Sequence, residues 1–249
     1  MKLPRLIGHR GAAAHAPENT LAALEAAAAL GLGWVEFDAQ LSADGVPFLM
    51  HDDRLQRTTG DRRKIAEVTA AELEGLDAGS WFGTAFSGEA VPRLEAAVAR
   101  LAALGLSANV EIKPSPGLAR ETAVASVALL RRLWPAGRPL PLISSFKVEA
   151  LEEAQRLWPE APRGYLVEAL PADWQATAAR LGCLSLHLWH PQATAARVAA
   201  IKAAGYQVAA YTVNGAERGR LLLDWGVDCL ITDDPPALGA LAAAADAAP

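Results

Sequence analysis

A chain of 249 residues fits one large domain or two small ones, with ample length for a core, and its 52% hydrophobic and 20% charged residues exclude a disordered chain. A net charge of −5 with no basic block argues against nucleic acid as a partner, and an anionic substrate would need a local positive site against that background. The opening MKLPRLIGHRG has no apolar run of signal-peptide length and no window nears the ~20 apolar residues of a membrane span, while Cys183 and Cys229 each lie in an apolar run; the expectation is a cytoplasmic protein with two reduced thiols and no stable membrane insertion.

In chain order, Leu6-Ile7-Gly8 is a short apolar run ending on His9-Arg10-Gly11. After a loop containing Pro17-Glu18-Asn19-Thr20, the spacing predicts a helix over 21–30, with Asn19 or Thr20 as N-cap and Gly31 as its stop. Trp34 to Gln40 reads as a strand in which Val35, Phe37 and Ala39 alternate with Glu36, Asp38 and Gln40, so Glu36 and Asp38 share a face. The chain turns through Ser42-Ala43-Asp44-Gly45 and returns along 46–50 to His51-Asp52-Asp53. So short a connection joins antiparallel strands and brings His51 back near Glu36 and Asp38. The stretch 54–92 reads as an excursion: a loop-like RTTGDRR, a short helix over 69–76 with Thr69 and Glu72 as a capping box, then Trp81, Phe82 and Phe86.

From residue 94 onward, helices over 94–104, 118–133, 148–158, 172–181, 193–204, 216–224 and 236–245 alternate with strands over 108–112, 140–146, 163–167, 183–188, 207–213 and 227–232. Setting aside the returning arm, eight strands are each followed by a helix. That alternation argues an α/β chain forming a (β/α)8 TIM barrel, one domain over 1–249 with residues 54–92 inserted between strand two and its helix. An open doubly wound sheet would call for a Gly-rich phosphate loop after the first strand, and His9-Arg10-Gly11-Ala12 is not one.

Barrel enzymes place chemistry at the C-terminal ends of the strands. Three carboxylates, Glu36, Asp38 and Glu111, are aimed at one rim; an all-oxygen cluster suits a hard divalent cation, Mg²⁺ or Ca²⁺, better than zinc. The same acids could instead pair with Arg10 and Lys113 in a structural network. His9 and His51 flank the acids and titrate in the range needed of an acid–base pair, and Arg10 and Lys113 suit a phosphate. Trp81, Phe82 and Trp189 offer aromatic walls for a substrate pocket or side chains for the core. Tyr211 points either into the barrel or up into the site. His187 and His190 read as structural, and Asp233 and Asp234 as caps of the last helix.

The segments IGHRGAAAHAPENT, VEFDAQLSADGVPFLMHD, LQRTTG, NVEIKP, LISSF, YTVN and LITDDP, spread from Ile7 to Pro235, resemble the glycerophosphodiester phosphodiesterases. The resemblance implies that family's barrel with an insertion after strand two. It implies a divalent metal on Glu36, Asp38 and Glu111, His9 and His51 as acid and base, and Arg10 and Lys113 on the phosphate. Glu18 and Asn19 would shape the rim. The reaction it implies is hydrolysis of small glycerophosphodiesters, such as glycerophosphocholine or glycerophosphoethanolamine, to sn-glycerol 3-phosphate and an alcohol, by a monomer or small homo-oligomer. In that reaction the glycerol 2-hydroxyl attacks phosphorus and water then opens the cyclic phosphate. Tyr211 stands where the family commonly has tryptophan, and SLHLWHP is richer in histidine and tryptophan than the family pattern; both departures bear on the alcohol, with Trp189 and Tyr211 placed beside it. The alternatives are a phospholipase-like barrel acting on other phosphodiester lipids, which would need a broad apolar face, and a non-catalytic phosphodiester-binding protein, expected to lack a histidine or an acid that is present here.

Overall fold

The computed structural model of the chain describes residues 1–246. Its first third runs β1 (Leu6–Gly8), α1 (Leu21–Ala29), β2 (Trp34–Leu41), β3 (Pro47–Leu49), α2 (Gln56–Thr59), α3 (Ala70–Leu73) and α4 (Leu94–Leu104). A regular alternation follows: β4 (Ser107–Ile112), α5 (Ala119–Leu133), β5 (Leu142–Ser145), α6 (Val148–Leu157), β6 (Arg163–Val167) and α7 (Trp174–Arg180). It ends with β7 (Ser185–Trp189), α8 (Ala195–Ala203), β8 (Gln207–Tyr211), α9 (Ala216–Asp224), β9 (Cys229–Thr232) and α10 (Pro235–Asp246).

The strands pair in the order β1-β9-β8-β7-β6-β5-β4-β2, and β1 also pairs with β2, so eight parallel strands close into a (β/α)8 barrel. The returning arm β3 stands outside that count. It runs antiparallel to β2, with Ala39 opposite Leu49, Gln40 opposite Phe48 and Leu41 opposite Pro47. Its turn is closed by the Ser42 N–H donating to the Val46 carbonyl at 3.0 Å, with Gly45 at φ +78°. β6 has its expected bounds and β2 and β4 are each one residue longer; β5, β8 and β9 are two or three residues shorter than the apolar runs, and β7 is shifted toward its C-terminal end.

Local signals decide several boundaries. Thr20, not Asn19, caps α1, its hydroxyl accepting from the Ala23 N–H. Asn19 stands at φ +56° and is committed elsewhere. Thr69 and Glu72 close the expected capping box around α3. The RTTGDRR stretch differs from the expected loop: Gln56–Thr59 form one helical turn, α2, stopped by Gly60 at φ +78°. At Gly8 a Cβ would lie 2.0 Å from the Gly11 carbonyl oxygen, so only glycine lets the His9–Gly11 turn fold back over the strand end.

Each strand buries both faces, as a closed parallel sheet requires. On β2 the odd-numbered Val35, Phe37 and Ala39 pack outward into one core with α1, α4 and α5, while Glu36, Asp38 and Gln40 turn inward. A matching core joins β6–β9 to α7–α9. Inside the barrel, Ile7, Leu142, Ala209, Cys229 and Ile231 form an apolar plug. A fourth, small core of Phe48, Met50, Leu55, Ile65, Val68, Leu73 and Val91 anchors the insertion against the returning arm. Cys183 and Cys229 are both free thiols.

Candidate active site

Parallel registration sets the three acids side by side. Asp38 stands opposite Glu111 and Glu36 opposite Asn109 across β2 and β4, while Gly8, just before His9, pairs with Val35. Glu36, Asp38 and Glu111 are all buried, and one oxygen of each lies within 4.8 Å of the others. Three crowded carboxylates without a cation cannot all stay ionised at modest cost. Burial, then the neighbouring charges of Asp38 and Glu111, pushes Glu36 well above the ordinary carboxylate range. Burial and the Asp38 charge push Glu111 up to about 7, against the pull of Lys113 and Arg10. Asp38 alone is held low: burial opposes ionisation, but Lys113, Arg10, His51 and an Asn19 hydrogen bond outweigh it. Among the described residues, buried Glu36 Oε1 has no hydrogen-bond partner, and buried Glu111 Oε1 meets only the Lys113 ammonium, at 3.5 Å. Under-satisfied oxygens converging in a hard-donor set are what a divalent cation would satisfy, so these three residues fit the metal.

Two cations stand over the acids. Lys113 Nζ is 3.4 Å from Asp38 Oδ1 and 3.5 Å from Glu111 Oε1. Arg10 Nε is 3.5 Å from Asp38 Oδ2, yet it is buried without a hydrogen-bond partner among the described residues and so keeps a donor for a ligand. Arg10 sits at φ +50°, a strained setting for an arginine, held by its N–H donating to Glu36 Oε2 at 2.9 Å and its Nη1 to Glu18 Oε1 at 2.7 Å. Asn19, also left-handed, grips Asp38 twice: Nδ2 donates to Oδ2 at 2.8 Å and Oδ1 accepts from the Asp38 N–H at 3.1 Å. Glu18 and Asn19 thus position the arginine and the central acid from the PENT loop.

The two histidines are held alike. His9 Nδ1 lies 2.6 Å from Asp233 Oδ1, leaving Nε2 toward the acids, 3.9 Å from Glu36 Oε2. His51 Nδ1 lies 2.7 Å from Asp52 Oδ1. Each ring is therefore oriented by a carboxylate on Nδ1, which turns Nε2 away from that tether. The Met50 N–H donates to the Asp38 carbonyl at 3.1 Å, so the arm delivers the next residue, His51, beside the acid cluster. The turn carrying His51 is clamped from below by buried Gln40, whose Nε2 lies 2.9–3.0 Å from the carbonyls of Met50, His51 and Asp52. Asp52 also binds Arg57, which reaches Glu18 with both terminal nitrogens at 2.6 and 2.7 Å. A continuous chain, His51–Asp52–Arg57–Glu18–Arg10, links the arm, the insertion and the first strand's loop.

These groups face a cavity of about 550 Å³ at the C-terminal mouth of the barrel. His9, Arg10, Asp38, His51, Glu111 and Lys113 line one side; Phe146, Glu168, Trp189, Tyr211 and Thr212 line the other. Glu36 lies one layer deeper, in a small recess shared with His9, Asn109 and Tyr211. Tyr211 is turned toward the cavity, its hydroxyl donating to the Val167 carbonyl at 3.1 Å. Trp81 and Phe82, expected as pocket walls, are not among the lining residues: they pack edge to face at 5.7 Å within the insertion, Phe82 against Phe86, with Trp81 half exposed beside Arg57. His187 is fully buried inside the barrel, and His190 contacts Arg218 at the rim. Asp233, expected as a helix cap, instead holds His9 and accepts from Asn214 Nδ2 at 2.7 Å. Sequence reasoning passed over Asp52, Arg57 and Glu168 and read Asp233 only as a cap; Asp52 had a positional signal beside a candidate histidine, and Glu168 and Asp233 each as the first residue past a strand.

The family model of the glycerophosphoryl diester phosphodiesterases matches residues 9–237, a span that includes every residue of the acid, cation and histidine sets. The chain belongs to that family. A glycerophosphodiester phosphodiesterase of Caldanaerobacter subterraneus is 31% identical over 240 residues, covering 94% of this chain and 95% of its own. One from Bacillus subtilis is also 31% identical, over 247 residues, covering 92% of this chain and 83% of its own. Among solved structures, an Oleispira antarctica phosphodiesterase in complex with the product sn-glycerol-3-phosphate superposes with a TM-score of 0.92 at 43% identity, covering 96% of both chains. The family's reaction class is phosphodiester hydrolysis. Among the described residues no helix is long and apolar enough to cross a membrane.

Proposed function

We propose that this protein is a divalent-metal-dependent glycerophosphodiester phosphodiesterase that releases sn-glycerol 3-phosphate and an alcohol. The observation that carries it is the convergence on one acid triad of two histidines, each tethered through Nδ1 to its own carboxylate. The Oleispira relative binds sn-glycerol-3-phosphate, which supports the same product here.

Glu36, Asp38 and Glu111 would hold Mg²⁺ or Ca²⁺, which when bound offsets negative charge on the phosphoryl oxygens. Arg10 supplies its unpartnered Nε and Lys113 its ammonium to those oxygens, fixing the phosphorus between the two imidazoles. In the reaction implied by the family resemblance, the glycerol 2-hydroxyl oxygen bonds to phosphorus as the bond to the alcohol oxygen breaks. One imidazole takes the hydroxyl proton and the other gives a proton to the departing alkoxide. Water then opens the cyclic phosphate with the two roles exchanged. Burial holds His51 below its ordinary pKa, so it is neutral at neutral pH and able to accept a proton. Two free thiols fit a cytoplasmic setting.

The test is glycerol 3-phosphate release from a panel of glycerophosphodiesters before and after exhaustive chelation, with calorimetric titration of Mg²⁺ and Ca²⁺ into the apo protein. Loss of turnover on chelation and its return with metal are expected. Binding should fall in Glu111→Gln by at least about 10–100-fold, the cost of losing even a supporting partner of a metal ligand. Full turnover without metal, or unchanged binding in the variant, would refute the metal assignment.

A further inference from the structure

The acids, cations and histidines come from β1, β2, the returning arm and β4; the opposite half of the cavity is built differently. There, four consecutive strands each place one residue at the mouth: Phe146 just past β5, Glu168 just past β6, Trp189 at the end of β7 and Tyr211 at the end of β8. Three are aromatic and the fourth is an acid. Phe146 and Tyr211 stand with centroids 5.9 Å apart and planes at 85°, walls at right angles. Trp189 is the register partner of Tyr211 and is 43% exposed. The Tyr211 hydroxyl is tied to the Val167 carbonyl, which fixes that ring beside the backbone carrying Glu168. Glu168 itself is exposed, and no salt bridge or hydrogen bond engages its carboxylate among the described residues.

We propose that Phe146, Glu168, Trp189 and Tyr211 form a subsite for a cationic alcohol, making choline, carried as its glycerophosphodiester, the preferred leaving group. The proposal rests on the phosphodiesterase reading above and deepens it. Aromatic faces attract a quaternary ammonium through their quadrupoles, and a neighbouring carboxylate adds a full charge. Arg10 and Lys113, the arginine and lysine among the described residues lining the cavity, stand over the acid triad, and no lysine or arginine lines the wall formed by Phe146, Glu168, Trp189 and Tyr211. The cavity is thus dipolar, positive where the phosphate sits and negative and aromatic where the alcohol leaves, complementary to a zwitterionic diester. A neutral polyol would stack on one ring face and leave the carboxylate without a counter-charge.

The experiment compares kcat/KM for glycerophosphocholine, for its uncharged isostere with a 3,3-dimethylbutyl group in place of choline, and for glycerophosphoinositol. The choline ester should exceed both by about tenfold or more, and that gap should shrink to about threefold or less in Trp189→Leu and in Glu168→Gln. Calorimetry of choline against 3,3-dimethylbutanol gives the same comparison without turnover: choline should bind at least about tenfold more tightly, and the Trp189→Leu variant should lose the difference. Equal treatment of ester and isostere, preference for the inositol ester, no choline binding, or a gap that survives both substitutions would overturn the subsite. No turnover of any diester would sink the phosphodiesterase reading instead, and the choline titration then decides the subsite by itself. Both residues are exposed, so circular dichroism of the variants should match wild type and separate a binding loss from misfolding.

Discussion

His187 gives the protein an acid-sensitive core. The imidazole is fully buried inside the barrel, with Nε2 3.0 Å from Ser185 Oγ, Nδ1 unpartnered among the described residues, and the bare Cα of Gly164 against the ring. Burial alone pushes its pKa down to about 4, from about 6.5 in an unfolded chain. Between those values the unfolded chain binds a proton that the folded one refuses, so falling pH favours unfolding. The neutral ring costs nothing above about pH 7, and the loss grows as pH drops toward 4. Integrating over that window gives a loss of about 2 kcal/mol by pH 5 and about 3 kcal/mol by pH 4. The substitution His187→Gln keeps a donor or acceptor for Ser185 and removes the titration. Urea unfolding of wild type and variant at pH 8, 7, 6, 5 and 4.5 should show a fixed offset at high pH and wild type losing about 2 kcal/mol more than the variant by pH 5. Parallel curves over the whole range would refute the claim that His187 is held neutral by burial.

Two further outcomes concern the histidine supports. Asp233→Asn should lower kcat about 10²-fold or more with little change in KM, because the tether fixing His9 and its tautomer is replaced by an amide; near-wild-type kcat would show that His9 needs no tether. In Asp52→Asn the acid limb of the kcat/KM profile should move to lower pH, since the Asp52 hydrogen bond raises the His51 pKa against burial; an unmoved limb would place the limiting titration elsewhere. Gln40→Leu should strand three carbonyls, lowering stability by at least about 2 kcal/mol and kcat with it, as seen by urea midpoint and glycerol 3-phosphate release; unchanged stability would mean that the clamp is replaceable by water.

The legible part of this molecule is the part encoded by short-range periodicity. The alternation in Val35–Gln40 placed Glu36 and Asp38 on the inner face, and the short turn after it required β3 to run back antiparallel with His51 at its end. The regular strand–helix rhythm gave the barrel. What stayed hidden depends on closure. Asp233 meets His9 across 224 residues because β9 pairs with β1 only when the sheet joins its own edge, and no local pattern announces that partner. Trp81 and Phe82 misled for the opposite reason: their partners are local, Phe86 and Arg57, so an aromatic cluster next to the site satisfies itself within the insertion. Glu168 was silent because an exposed acid after a strand is unremarkable until its aromatic neighbours from three other strands are in place.

The turn at Ser42–Val46 sets a length limit that the barrel does not. The arm lies outside the closed ring of eight strands, so one residue added between Ser42 and Gly45 leaves the ring's pairing intact. It would nonetheless slip the arm by one position against β2, and a one-residue slip turns every side chain on a strand to the opposite face. His51 would leave the cavity, and Phe48, whose side chain belongs to the insertion's core, would be turned out of it. A single-codon insertion there is thus predicted to give a barrel that folds and closes but has lost both one of its two proposed proton carriers and the seat of its insertion.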